Sequence, residues 1–272
     1  TTATATSPPP VADLDWVEIP AGELHLGCFD DACLDDERPG KRVRISAFAI
    51  QPYEATVYDY AQCVSAGACS DRRVKGIVDQ GRFAVSTRCN WQQPNREKHP
   101  MNCIDHRQAR GYCDWLGGRL PTEAEWERAA RGDDDRVFPW GDDEASCVYA
   151  VMAPEGDDGC GRGSTWAVGA KQRDRSPFGL FDMTGNVREW VSDAYVADAY
   201  ASAADIDPRG PTEGASYVAR GGSWLNHANP WLRVSARNQH PESYRSAAVG
   251  VRCARAARPW PRTRARPRAT QR

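Results

Sequence analysis

The chain has 272 residues, with 37 acidic and 35 basic side chains, a formal net charge of −2 and a mean hydropathy of −0.66. No run of about 18 apolar residues occurs, which argues against a membrane-spanning helix. Ten Trp and 23 Gly predict a loop-rich fold held by buried aromatic side chains rather than a helical bundle.

The two ends of the chain differ in composition from the rest. Residues 1–12 are rich in Thr, Ala and Pro, which predicts a linker or a stalk left by processing, with a lipid anchor upstream of Thr1 as a further option. Residues 257–272 are rich in Arg and Pro, which predicts a solvated basic tail; an anionic partner surface is the alternative, and no nucleic-acid ligand is expected. We therefore predict a single domain over residues 13–256.

The ten cysteines predict a disulfide framework formed in an oxidising compartment. No CxxC motif occurs and the five His are scattered, which argues against a zinc site. Short spacings favour four local pairs and leave two cysteines for one long bridge. The predicted pairs are Cys28–Cys33, Cys63–Cys69, Cys89–Cys103, Cys147–Cys160 and Cys113–Cys253. If all ten cysteines pair, no thiolate remains for redox chemistry.

In chain order, the first predicted elements are strands over residues 16–19 and 42–50, where side chains alternate or run apolar. A helix is predicted over residues 54–66, with Thr56 as its N-cap. Residues 70–100 are polar and predict irregular structure. The first part of the chain is therefore expected to be mixed in its secondary structure.

Two further helices are predicted from capping-box patterns, in which the N-cap and the residue three positions later bond to each other's backbone. The first begins after Asp105 and ends at Gly117; the second begins after Thr122 and continues to about Arg131. Short strands are then predicted over 166–169, 216–223 and 247–254. Early helices, late strands and long loops predict an α+β fold.

The stretch 179–192, GLFDMTGNVREWVS, predicts a tight turn at Thr-Gly-Asn that leads into a strand. Asp182 and Glu189 flank this turn, so that their carboxylates and the carbonyls of Gly185 and Val187 can converge on one point. Hard oxygen ligands in an irregular loop are typical of a Ca²⁺ site. The alternative is a metal-free turn in which Asp182 caps the turn and Glu189 forms a salt bridge.

Several phrases occur together in a fixed order. They are NCID (102–105), GRLPTEAEWERAAR (118–131), FPWG (138–141), GLFDMTGNVREW (179–190), RGGSW (220–224) and GVR (250–252). In this order they closely resemble the formylglycine-generating enzyme family, also called the sulfatase-modifying-factor domain, over about residues 14–255. The resemblance implies that family's fold, a loop-rich α+β variant of the C-type lectin fold.

The resemblance also implies a reaction and shows where this sequence departs from it. In the family, two cysteines that follow the RGGS motif bind copper, which activates O₂ to oxidise a substrate Cys to formylglycine. The matching positions here are Asn226 and Trp231, and neither side chain offers the soft thiolate that Cu(I) requires. A Trp of the oxygen pocket is replaced by Arg188, whereas the pocket serine is retained as Ser223. We therefore expect neither bound copper nor the oxidase reaction.

The resemblance supports the Cys113–Cys253 bridge, which matches a bridge of the family, and it implies calcium at Asp182, Gly185, Val187 and Glu189. A ligand groove is expected where the enzymes bind substrate, because aromatic, Arg and Asn side chains are typical of peptide or sugar recognition. The residues assigned to this groove are Arg188, Ser223, Asn226, His227, Trp231, Arg233 and Arg237.

The favoured function is an extracytoplasmic binding or scaffold module, secreted, periplasmic or on the cell surface, for a peptide, a protein or a glycan. One alternative is an enzyme, oxidoreductase-like or metal-dependent, that uses other residues of the same pocket, for which His227 and His240 are the candidate catalytic side chains. Another is a lectin-fold ligand-binding protein of the diversity-generating type.

Overall fold

The computed structural model of the chain describes residues 15–29, 33–79 and 82–257. The predicted linker over residues 1–12 lies outside the described residues, and so does the predicted basic tail apart from Ala257. Within the described part, no helix is long and apolar enough to cross a bilayer.

The regular elements are short and are separated by long loops. In chain order they are β1 (Val17–Ile19), β2 (Gly22–Leu26), β3 (Lys41–Ile45), β4 (Phe48–Ile50), α1 (Val57–Ser65), β5 (Gly76–Asp79), β6 (Arg82–Val85), α2 (His106–Trp115), α3 (Glu123–Arg131), β7 (Arg188–Ala194), β8 (Tyr217–Arg220), β9 (Arg237–His240), β10 (Val249–Gly250) and β11 (Ala254–Ala256). Single helical turns occur at Asp35–Glu37, Pro154–Gly156 and Asp158–Gly161.

The three helices begin where the capping patterns predict. The side chains of Thr56, Asp105 and Thr122 each accept a hydrogen bond from the backbone N–H three residues later, and the residue at that position bonds back to the cap. Each cap satisfies backbone donors that the first helical turn leaves free. The first helix starts at Val57, directly after its predicted N-cap Thr56, so the predicted range 54–66 began three residues too early.

The largest sheet has four strands in the order β10-β7-β8-β9, and it carries the candidate site. Strand β8 runs antiparallel to both β7 and β9, whereas β10 runs parallel to β7. Side chains of β7 alternate between two cores: Trp190 packs with α1 and α2, and Val191 packs with α3, β2 and β3. The sheet thus separates the two main hydrophobic clusters of the domain.

The predicted strand over 42–50 is wrong, because the chain changes sheets in the middle of it. Strand β3 pairs with β2, whereas β4 lies between β1 and β11 in a different sheet. The break is fixed by Asp207, whose carboxylate accepts hydrogen bonds from the backbone N–H of Ser46 at 2.6 Å and from its hydroxyl at 2.7 Å. The predicted strand over 247–254 likewise divides into β10 and β11.

Two other predictions of local structure need correction. Residues 70–100 are not wholly irregular, because β5 and β6 form an antiparallel hairpin in which Val78 also bridges to Arg245. Residues 166–169 are not a strand: the backbone N–H of Trp166 donates to the side-chain oxygen of Asn186 at 3.0 Å instead of to a neighbouring strand. The hairpin pairs neighbouring segments and is extended by the distant Arg245, whereas the backbone at Trp166 is held by a residue 20 positions later.

Five disulfide bonds join the ten cysteines, and no free cysteine remains. The pairs are the predicted ones: Cys28–Cys33, Cys63–Cys69, Cys89–Cys103, Cys113–Cys253 and Cys147–Cys160. The bridge between Cys113 on α2 and Cys253 before β11 spans 140 residues, so it ties the helical layer to the end of the domain.

Candidate functional site

The predicted groove lies where strands β7 and β8 meet the loop that follows β8. Arg188 is the first residue of β7, and Arg220, the last residue of β8, pairs with Glu189 beside it. After β8 the chain turns at Gly221 and Gly222, whose φ angles are 94° and 64°. A Cβ on Gly222 would lie 2.7 Å from the carbonyl oxygen of Trp231, so this close approach requires glycine.

This turn brings Ser223 and Asn226 to Arg188. The Arg188 Nη2 atom donates to Oδ1 of Asn226 at 2.8 Å, and the Ser223 hydroxyl donates to the same oxygen at 2.7 Å. The backbone N–H of Leu225 in turn donates to the Ser223 hydroxyl at 3.3 Å. Three of the seven predicted groove residues thus form one hydrogen-bonded cluster, which holds the guanidinium in place.

The cluster has a positive charge that no carboxylate of the described residues balances. Within that part of the chain Arg188 has no salt bridge, its Nε atom is buried without a partner, and burial lowers the pKa of its guanidinium. Next to it, His240 stacks on Tyr244 with ring centroids 4.0 Å apart, and its Nε2 atom is also buried without a partner. Burial, together with the nearby charge of Arg188, lowers the pKa of His240 to about 4, so this imidazole is neutral at pH 7.

Two of the predicted groove residues lie elsewhere, in buried ion pairs. Arg233 is 5% exposed and its Nη2 atom lies 2.8 Å from Glu37, and Arg237 is 3% exposed with its Nε atom 2.8 Å from Glu123. Because these side chains have carboxylate partners in the core, they are not available to a ligand. The sequence assigned them to the groove only because they follow the RGGS motif closely.

The remaining groove residues line the outside of the same loop. Trp231 is 36% exposed, and His227 is exposed as well. His227 and His240 have no third metal-ligating side chain beside them among the described residues, where the one metal-like group is Cys28, Cys33 and Glu37. The two cysteines of that group are joined in a disulfide, so it is not a metal site either.

At the positions implied for copper, the residues do not fit the metal. Asn226 uses its amide oxygen to accept bonds from Arg188 and Ser223, and Trp231 lies with its ring partly in solvent. All ten cysteines are in disulfides, so no thiolate is available to a Cu(I) ion.

At the turn before β7, Glu189 is occupied by an ion pair. Its carboxylate accepts hydrogen bonds from Arg252 at 2.8 to 3.0 Å and from the Trp126 indole N–H at 2.7 Å. This is the salt bridge that the sequence left open as the alternative role of Glu189. Gly185, with a φ angle of 90°, makes the turn, and Val187 is buried in the core behind it.

Asp182 lies instead among buried acids that lack sufficient positive charge. Its backbone N–H donates to Oδ2 of Asp174 at 2.8 Å, and its own Oδ2 accepts from the N–H of Gly169. Both carboxylate oxygens of Glu54, Oδ1 of Asp174 and the hydroxyl of Thr184 are buried with no hydrogen-bond partner. Unpartnered buried oxygens of this kind are costly unless a cation or protons satisfy them.

The pKa values of these acids reflect the same shortage of positive charge. Burial raises the pKa of Asp182 to about 6, opposed by the Gly169 hydrogen bond and by Arg252. Burial, with the neighbouring carboxylates, also raises the pKa of Glu54 and of Asp174 well above the usual range. With Glu189, four carboxyl groups lie around the guanidinium of Arg252, and the ammonium of Lys171 is a further counter-charge to Asp174 and Asp182. Hard oxygens of this kind are the ligands that Ca²⁺ prefers, although no three of these carboxylates bring their oxygens within 4.8 Å of one another in the described structure, so they would have to close around the ion.

Glu54 and Asp174 could not be recognised as members of this acidic cluster from the sequence. Glu54 precedes α1 and Asp174 lies in a loop, so each looks like an ordinary surface acid in the sequence. Only the fold shows that Glu54 is 1% exposed and that Asp174 is completely buried beside Asp182. An acidic residue within an otherwise apolar stretch, as at YEATV (53–57), is the one local signal that was available.

Comparison with known proteins identifies the family of this chain. A family model described as the sulfatase-modifying factor enzyme 1-like domain matches residues 3–257. The formylglycine-generating enzyme of Thermomonospora curvata is 32% identical over 280 residues, which cover 88% of this chain and 92% of that protein. The inactive C-alpha-formylglycine-generating enzyme 2 of Bos taurus is 30% identical over 281 residues, which cover 89% of this chain and 88% of that protein.

Among solved structures, PvdO from Pseudomonas aeruginosa superposes with a TM-score of 0.73 at 28% identity. The alignment covers 89% of this chain and 94% of that chain. Relatives named as active and as inactive enzymes are thus about equally similar to this chain in sequence. Overall identity does not distinguish an active from an inactive member, so the distinction depends on the residues of the site.

Proposed function

This chain belongs to the family of sulfatase-modifying factor enzyme 1-like domains, and we propose that it is a member without the Cys-to-formylglycine oxidase reaction that acts as a binding or scaffold module. The observation that carries this proposal is that all ten cysteines are in disulfides. A copper oxidase of this family needs two thiolates at the positions held here by Asn226 and Trp231. The predicted α+β family fold is retained, which supports a ligand site on the family scaffold without the metal ligands.

The proposed location is extracytoplasmic. The domain has five disulfides. Disulfides form and persist in oxidising compartments, whereas the thiol systems of the cytosol keep cysteines reduced. This supports a secreted, periplasmic or cell-surface protein. The proposed ligand is a peptide, a protein or a glycan, because these are the molecules such a protein meets there.

The groove residues that remain after the correction support ligand binding. Arg188, Ser223 and Asn226 form a hydrogen-bonded polar cluster, and Trp231 presents a partly exposed indole on the loop that follows β8. Aromatic and Arg side chains are frequent anchors of recognition sites. No observation favours an enzyme with His227 and His240 as its catalytic pair over this binding function.

Binding through this groove predicts a specific effect of Trp231. On a combined peptide and glycan array, the chain is expected to retain a defined set of ligands, and Trp231→Ala to weaken them by about tenfold or more, the usual size of an anchor residue's contribution. Tyr58→Ala, which removes a 59% exposed aromatic side chain on α1, is the matched control and is expected to change nothing. Equal binding by the chain and Trp231→Ala would remove the groove from the proposal.

We also propose a structural calcium ion at the buried acids. Asp182, Glu54 and Asp174 would hold it, with Thr184 and the carbonyls of the Gly185 turn within the same loop. When bound, the ion would add positive charge to carboxylates whose counter-charges are Arg252 and, for Asp174 and Asp182, also Lys171. The ion would stabilise the turn from which β7 and Arg188 begin, and it has no part in a reaction.

Calcium is therefore expected to raise the melting temperature of metal-depleted protein, and to do so more at pH 7.5 than at pH 5. A carboxyl whose pKa is raised on folding binds more protons in the folded state, so without metal the free energy of unfolding falls as pH rises from about 4 through 6, the pKa of Asp182. Calcium replaces these protons, so its effect grows over the same range. At a concentration 100 times its dissociation constant it adds about 2.7 kcal/mol.

Two variants make this test specific. Glu54→Gln removes a buried charge with no partner, so it is expected to stabilise the metal-depleted protein at pH 7.5 and to abolish most of the calcium effect. Glu213→Gln, at an exposed loop position, serves as the control and should leave both unchanged. A calcium effect that is undiminished in Glu54→Gln would place the ion elsewhere.

A further inference from the structure

Arg188, which is partly buried with its Nε atom fully enclosed, differs from the fully buried arginines of this protein. Seven arginines are buried in the described part of the chain. Each of them forms a salt bridge with a carboxylate. They are Arg128, Arg131, Arg220, Arg233, Arg237, Arg245 and Arg252. Because an unpaired buried charge costs several kcal/mol, this regular pairing is what stability requires. Among the described residues Arg188 has no such partner, and the one hydrogen bond of its side chain there goes to a neutral amide.

The atoms around Arg188 leave donors free and contribute no negative charge. Its Nε–H is buried without an acceptor, and of the five N–H donors of a guanidinium only one has a partner among residues 15–29, 33–79 and 82–257. Asn226, Ser223, His240 and Tyr244 are the neighbouring polar groups in that part of the chain, and none of them is a carboxylate. The surroundings of Arg188 therefore carry a charge of about +1 with unused donors on a planar group.

We propose that Arg188 binds a carboxylate group of the ligand, held in the groove beside Asn226 and His240. A carboxylate is planar and has two oxygens at the spacing of two guanidinium N–H groups, so the pair can form two parallel hydrogen bonds. It also carries a single negative charge, which neutralises the pocket, whereas a dianionic phosphate would leave an excess negative charge buried. The inference rests on the proposed binding function and specifies its ligand as acidic, such as a peptide with a free carboxylate or a uronic-acid glycan.

The first experiment measures the melting temperature of the full chain in sodium acetate, sodium methyl sulfate and sodium chloride at equal ionic strength. Acetate is expected to stabilise the protein beyond the effect of chloride, and beyond that of methyl sulfate, which is also monoanionic but not planar. In Arg188→Met the acetate effect is expected to vanish while the melting temperature in chloride rises, because an uncompensated buried charge has been removed. Arg88→Met, whose guanidinium pairs with Asp158 and lies over Trp224, is the matched control that keeps the acetate response.

The second experiment compares array ligands in free-acid and amidated form. An acidic ligand is expected to lose at least about tenfold in affinity on amidation, which is the contribution of one charge-assisted pair. Arg188→Met is expected to bind the amidated ligand as weakly as the unchanged chain does, because the pair is already lost. Arg188→Lys is expected to retain part of the affinity, because it keeps the charge but not the planar pair of donors.

Three results would overturn this inference. They are a lower melting temperature for Arg188→Met in chloride with the acetate response intact, stronger stabilisation by methyl sulfate than by acetate, and equal affinity for acid and amide ligands. The binding function itself would survive each of them if Trp231→Ala still weakened the array ligands. The binding function would fail if Trp231→Ala had no effect on the array ligands and copper were bound. An acetate response of Arg188 would not by itself be evidence for the binding function.

Discussion

Replacing Arg220 by Met is expected to lower the free energy of unfolding by about 3–5 kcal/mol, the usual loss when one partner of a buried ion pair is removed. Arg220 is completely buried, and its guanidinium contacts Glu123 at 2.9 Å and Glu127 at 2.6 Å. It also donates to the carbonyl oxygens of Val234 at 2.6 Å and Ser235 at 3.2 Å. All four acceptors would lose a donor inside the core, between α3 and the end of β8.

The measurement is equilibrium unfolding in urea with the disulfides intact, for the chain, for Arg220→Met and for two further variants. Arg136→Met, which breaks the ion pair to the exposed Asp134, is the control and should cost less than about 1 kcal/mol. Arg220→Met with Glu127→Gln should recover part of the loss, since one of the unpaired carboxylates is then neutral, although Arg131 loses part of its pairing. A loss below about 1 kcal/mol for Arg220→Met would mean that the network does not stabilise the domain.

The parts of the fold that could be predicted are those fixed by neighbouring residues. The helix starts followed from Thr56, Asp105 and Thr122, because a cap bonds to a backbone N–H only three residues away. Four disulfides join cysteines no more than 14 residues apart, so spacing alone proposed them. The family resemblance, carried by long phrases in a fixed order, gave the fold class that the comparisons confirm.

The features that were missed depend on residues far apart in the chain. The break between β3 and β4 is held by Asp207, more than 150 residues later, and no local pattern at Ser46 announces it. Arg233 and Arg237 look like ligand-binding side chains in the sequence, because a carboxylate partner such as Glu37 lies nearly 200 residues away. Charged residues are ordinarily expected at the surface, so buried ion pairs are systematically mistaken for surface groups.

The candidate site was predicted in position but only partly in composition. Arg188, Ser223 and Asn226 could be located by counting from the motifs, and they do meet in space. That Arg188 has no carboxylate partner could not be seen in the sequence, since this depends on every element packed around it. The acids Glu54 and Asp174 were missed for the same reason, and they alter the set of oxygens that we propose for calcium.

The second large effect concerns the family reaction itself, which we expect to be absent. The oxidase needs Cu(I), a soft ion that binds thiolates, and each cysteine sulfur of this chain is bonded to another sulfur. Breaking a local bridge would not create a site, because the two positions implied for copper are held by the amide of Asn226 and the indole of Trp231. The expected activity is therefore no higher than that of copper in buffer, a loss of the entire enzymatic rate rather than a reduction of it.

The most direct measurement is mass spectrometry of a peptide containing Cys-x-Pro-x-Arg after aerobic incubation with the purified chain, Cu(I) and a thiol reductant too weak to open the disulfides. An active formylglycine-generating enzyme is the positive control, and copper without protein is the blank. The account predicts unmodified cysteine and no aldehyde above the blank, together with no copper retained after desalting. Aldehyde formed in proportion to the amount of chain, with copper retained at one ion per chain, would contradict it.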